Sequence, residues 1–135
     1  MPGFFTRYAN DRILDLIFGR TLFDPPEVLY AGLSLAGANR SGVVAEPVGG
    51  GYARVAVGND LVSFTEAERG AKSNAAVIRF PPPEADWGLI QSLFLADAAE
   101  GGNVLAMTDL STRRIVSKGG PAAKVPIGAM NFLHR

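Results

Sequence analysis

One early segment spaces its apolar residues like a helix, and most of the remaining chain alternates like strands. In "TRYANDRILDLIFG", residues 6–19, Ile13, Leu14, Ile17 and Phe18 fall at i, i+1, i+4 and i+5 and share one face. Thr6 or Asn10 can cap the start, and Gly19 can end the helix in the left-handed conformation. About three turns are marginal alone, so this apolar face is expected to pack on a surface. The two prolines of "FDPPE" (23–27) exclude further helix. In "VLYAGLSLAG" (28–37), Leu29, Ala31, Leu33 and Leu35 point one way, and Val28, Tyr30, Gly32 and Ser34 the other. That is strand spacing.

Residues 37–51 form a connection long enough to be functional or a contact arm. "YARVAV" (52–57) reads as a strand, turned by "GND" (58–60) into "LVSF" (61–64) as a hairpin. A polar connection (65–74), a strand "AAVIRF" (75–80) and a proline loop "PPPEADWG" (81–88) come next. "LIQSLFLAD" (89–97) is the clearest strand, and "AAEGGN" (98–103) turns it back into "VLAMTDL" (104–110). Two weaker strands are expected within 111–128, around a Gly-Gly-Pro turn. This order predicts a mainly β fold: an antiparallel β-sandwich, jelly-roll or Greek-key like, with one short N-terminal α-helix. No strand–helix alternation suggests a parallel nucleotide-binding sheet. A single domain over 1–135 is expected, with an N-terminal arm and helix at 1–20 and the sandwich at 27–133.

Composition narrows the function. The chain has no cysteine, which removes thiolate nucleophiles, thiolate metal sites and disulfides. Its 13 basic and 13 acidic residues balance. A nucleic-acid binder needs a surplus of positive charge, so no nucleic-acid partner is expected. A neutral chain also associates readily, which suits assembly. The opening "MPGFFTRYANDR" lacks the apolar core of a signal peptide, and no run approaches a membrane span, so no membrane partner is expected.

Candidate chemistry is sparse. "PVGGGYARVAV" (47–57) resembles a phosphate loop only in its glycines: it has no Lys, and a strand comes after it where a helix N-terminus would be needed. The glycines read as a hinge that reaches positive φ. His134 is the only histidine, too few for a zinc site and at an exposed-looking position for a triad. Asp86, Asp97, Glu100 and Asp109 lie near turns, with no spacing that makes them converge. Arg113, Arg114 and Lys118 read as a solvated strand face. No catalytic residue, metal ligand or cofactor is assigned. Trp87 reads first as an anchor packed across the end of the sandwich, with Trp87 and Tyr52 as candidate partner or receptor contacts. Phe4, Phe5 and Tyr8 near one end, and Phe132 and Leu133 near the other, are unusually apolar for chain ends. Either they tuck into their own domain or they are assembly contacts.

Several segments in order carry a resemblance. "NDRILDLIFGRTLFDPPEVLYAGLSL", "GGGYARVAV" and "SNAAVIRFPPPEADWGLIQSLFLADAAEGGNVLAMTDL" are similar to small tailed-bacteriophage virion proteins usually labelled tail fibre protein. The likeness covers roughly residues 10–130. It implies a non-enzymatic virion structural protein, assembled in the host cytoplasm. Its partners would be copies of itself and other virion proteins, either the major capsid protein or tail proteins. The chain lacks the heptads or repeats of an elongated shaft, so a decoration or cement subunit outside the capsid is the first expectation. A tail-fibre or receptor-binding subunit that meets a host receptor is the alternative, and a small β-sandwich enzyme a remote one.

Overall fold

The computed structural model describes residues 3–133. Strand β1 (Phe4–Phe5) runs directly into helix α1 (Arg7–Ile17). Of the two caps the sequence offers, Thr6 is the one used: its Oγ1 accepts the Ala9 N–H at 3.4 Å and donates to the Val104 carbonyl at 2.6 Å. Thus one buried hydroxyl both starts the helix and ties it to the sheet. Strands β2 (Val28–Ser34), β3 (Val55–Gly58), β4 (Ala71–Ser73), β5 (Ile78–Arg79), β6 (Gly88–Ala96), β7 (Val104–Val116), β8 (Lys124–Val125) and β9 (Asn131–Leu133) complete the chain order.

Five strands make an antiparallel sheet in the order β1-β7-β6-β2-β3. Strict alternation puts alternate residues of each strand on opposite faces. Phe5, Ala106, Leu95, Ala31 and Val55 stand side by side across the front. The neighbouring row, Phe4, Met107, Phe94 and Gly32, faces the back. The front is covered by two antiparallel ribbons, β4-β9 and β5-β8, giving a sandwich-like arrangement over one core. Ile78, Phe80, Val125, Met130 and Phe132 come from that second layer to meet Leu29, Leu33, Leu93 and Leu95 of the sheet. A parallel bridge between Gly3 and Phe132 joins the edge of the sheet to the β4-β9 ribbon.

The back is covered as well, by the long connection after β2. Ser34 Oγ accepts N–H groups from Ala36 and Ala45, Ser92 Oγ donates to the Ala36 carbonyl, and Asp109 Oδ1 accepts the Ala38 N–H at 2.8 Å. Ala38 and Val44 then pack on Phe94 and Met107. Small residues at Gly32 and Ser34 leave room for this. A Cβ at residue 32 would collide with the Phe94 ring, so the close packing of β2 on β6 requires glycine there.

Several expected elements change. Residues 61–64 are a turn, not a strand: the Asp60 carboxylate accepts the Val62 and Ser63 N–H groups and closes the chain on itself. That local hydrogen bonding competes with the ladder, and β3 pairs with β2 instead. The expected strands 52–57 and 75–80 shorten to β3 and β5. The polar connection 65–74 contributes β4. The separate weak strands of 111–128 are replaced by a continuation of β7 to Val116 and by the two residues of β8.

Candidate assembly surface

The helix attaches by its start and leaves its end in solvent. Ala9 is its only buried residue. Ile13 is half-buried, whereas Leu14, Leu16, Ile17 and Phe18 are exposed, Phe18 by 77%. The stripe expected to pack on the fold therefore faces outward. The reason lies in how the helix ends. Phe18 N–H still donates to the Leu14 carbonyl, but Gly19 (φ 140°) and Arg20 (φ 55°) turn the chain away, and Thr21 N–H returns to the Asp15 carbonyl. Leu22 comes next, 91% exposed. Phe23, Pro25 and Pro26 then lead back to β2, held where the Asn59 side chain donates to the Pro26 carbonyl at 2.8 Å.

Between this segment and the sheet runs an apolar groove of about 320 Å³. Leu16, Phe23, Pro25, Phe64 and Leu105 line it, with Asn59 and Lys72 as its polar lining residues. Exposed apolar side chains thus stand beside an apolar recess. Contiguous patches of this kind on a folded surface mark contact with other macromolecules.

Of the aromatic and leucine residues expected to serve assembly, Phe4, Phe5, Tyr8 and Leu133 are half-buried and Phe132 is buried. Phe4 is half-buried in β1 under the Arg40 guanidinium, 4.3 Å from the ring centroid. Phe5 pairs with Ala106 and lines the groove. Tyr8 carries Arg12 over its ring at 5.2 Å. Phe132 is buried in the core, and Leu133 pairs with Ala71. The described residues at both ends pack at least partly against their own fold. His134 lies outside the described residues.

Tyr52 and Trp87 meet edge to face, with centroids 5.3 Å apart at 85°. Trp87 is 3% exposed, and its indole N–H donates to the Gly50 carbonyl at 2.9 Å. It is a packed anchor with no free face for a receptor. The Tyr52 hydroxyl donates to Glu46 Oε1 at 2.7 Å and accepts the Leu33 N–H. Burial, with the bond to Glu46, pushes the Tyr52 pKa upward. Arg54 completes the cluster with a two-pronged ion pair to Glu46, 2.9 and 3.0 Å, and bonds to the Ala98 and Gly101 carbonyls. Burial drives the Glu46 carboxyl upward. The bonds from Arg54 and Tyr52 and the Arg54 charge outweigh that and hold its pKa below the ordinary value. The bond to Glu46 raises Arg54.

The glycine stretch serves this cluster. Gly49, Gly50 and Gly51 all have positive φ, and a Cβ at residue 50 would lie 2.7 Å from the Ala85 Cβ. The hinge reading stands. Three of the four acidic candidates cap backbone: Asp86 accepts from Lys118 N–H, Asp97 from Asn103 N–H and Asp109 from Ala38 N–H. Among the described residues no group of three His, Asp or Glu is placed to hold a metal ion, and no helix is long and apolar enough to cross a membrane.

The fold and its surface define a small, mainly antiparallel β protein with one short helix whose end is apolar and exposed. Residues 4–132 match the family described as podophage GP4 fiber I protein gp80, and the chain belongs to that phage fibre family. No curated protein matches the chain.

Proposed function

We propose that this chain is a non-enzymatic assembly subunit of a phage fibre, joined to other virion proteins and to copies of itself through the end of α1 and Leu22. One observation carries the reading: Leu14, Ile17, Phe18 and Leu22 are apolar and solvent-facing, in the same segment whose Ile13, Leu16 and Phe23 line an apolar groove. A short helix with its apolar face uncovered gains stability when a neighbour covers it. Phe18 is the natural anchor, since aromatic side chains dominate interface energetics. The match to a podophage fibre family supports the fibre reading. The capsid-decoration reading uses the same surface at a different address on the particle.

Immunogold labelling of intact particles with an antibody to this chain tests the proposal. Gold at the tail in few copies is the expected result. Gold over the head in many copies replaces the fibre by a decoration subunit. Unlabelled particles overturn both.

A further inference from the structure

We propose that a cleft on another face of the molecule binds an acidic saccharide unit. The pairing of β6 with β7 breaks between Ile90 and Ser92: Ile90 opposes Arg114, but Ser92 opposes Asp109. Leu110 to Arg113 therefore stand against Gln91 alone. A bulge this wide bends the strand and re-aims its side chains. It opens a cleft of about 390 Å³ between β7 and residues 123–129, within the ~300–1,000 Å³ typical of ligand sites.

The floor of the cleft is apolar, formed by Phe80, Ile90, Leu93 and Val125. The rim carries Asp109, Ser111, Thr112, Arg114 and Lys124. Neither Arg114 nor Lys124 makes an ion pair or side-chain hydrogen bond among the described residues. Arg79 stands directly opposite Lys124 in the β5-β8 pair, equally unpaired among the described residues. Like charges in direct opposition are unfavourable. Of the three charged residues that line the cleft, two are cations without an ion pair, and the carboxylate of the third, Asp109, accepts the Ala38 N–H on the back of the sheet.

The three parts of the site ask for one ligand chemistry. The cations call for a carboxylate, with Arg114 able to bind it through two N–H groups. The Ser111 and Thr112 hydroxyls call for hydroxyl groups. The apolar floor calls for a C–H face. A hexuronic acid presents all three. A bare carboxylate uses only the cations, and a neutral sugar leaves them without a partner.

An NMR titration of the intact chain with trigalacturonate tests this, with maltotriose and acetate as controls. Saturable shifts at Ser111, Thr112 and Lys124 are expected, with each control at least about tenfold weaker. Arg114→Ala and Lys124→Ala should each weaken binding about tenfold while the rest of the spectrum stays unchanged. Absence of saturable shifts, equal binding of either control, or full binding by both variants overturns the proposal. The cleft shares no lining residue with the α1 groove. Its failure therefore leaves the assembly reading standing, and the reverse.

Discussion

At the scale of single residues, Arg54 does most to fix one loop against another. Its side chain is 4% exposed, lies 5.1 Å over the Phe94 ring and reaches Glu46, Ala98 and Gly101. Truncating one partner of such a pair leaves the other charge desolvated. Glu46→Gln should cost about 1–2 kcal/mol at pH 7, allowing for the partial exposure of Glu46. The direction of the pKa shift sets the pH dependence. The folded pKa of Glu46 lies below its ordinary value of 4.5. The pair therefore contributes fully above that value and is lost as pH falls through the folded pKa. Urea midpoints should separate wild type from Glu46→Gln at pH 7, and the gap should narrow progressively as pH is lowered below 4.5. A gap that stays constant over that acid range would contradict this. Glycine makes a second residue-level test. Gly50→Ala must accommodate both positive φ and the clash with Ala85, whereas Gly49→Ala shares the positive φ but meets open space. The first should lose about 2–3 kcal/mol and the second about 1 kcal/mol in chemical denaturation.

At the scale of elements, the helix shows what periodicity can and cannot tell. The spacing of Ile13, Leu14, Ile17 and Phe18 defines a face, and Thr6 a start. Periodicity does not say whether that face meets its own sheet or another molecule. Here the capping hydroxyl anchors only the first turn, so the amphipathic end projects. Thr6→Ala should cost about 1–2 kcal/mol in thermal or urea unfolding, since it removes the cap and the tie to Val104 together. The strands were legible for the same reason the helix was: β2 and β6 alternate cleanly, and Leu29, Leu33, Leu93 and Leu95 all reach the core. The hairpin at 58–64 was not, because the choice between a two-stranded turn and an Asp60-capped loop rests on side-chain hydrogen bonds. The bulge in β7 was hidden because "LSTRR" has no alternation to reveal it. The ion pair was missed although Glu46, Tyr52 and Arg54 flank the glycines closely. Only the positive φ of the three glycines brings them together.

At the scale of the whole molecule, the fold divides its apolar residues among three surfaces. The front of the sheet meets the ribbons, the back meets the connection after β2, and the end of α1 with Leu22 stays largely exposed. The first two account for the architecture, and the third is what a fibre subunit would turn outward. The apolar residues near the chain ends contribute to the fold, Phe4 through β1 and Phe132 through β9. Whether the third surface drives assembly is decided by sedimentation velocity across a concentration series, comparing wild type with the Phe18→Ser, Leu22→Ser double variant. The wild type should self-associate. The variant should bind itself at least about 30-fold more weakly, a change of ~2 kcal/mol, while its unfolding free energy stays within about 0.5 kcal/mol of the wild type's. Equal association of the two proteins, or a wild type that stays monomeric throughout, would contradict an assembly role for this surface.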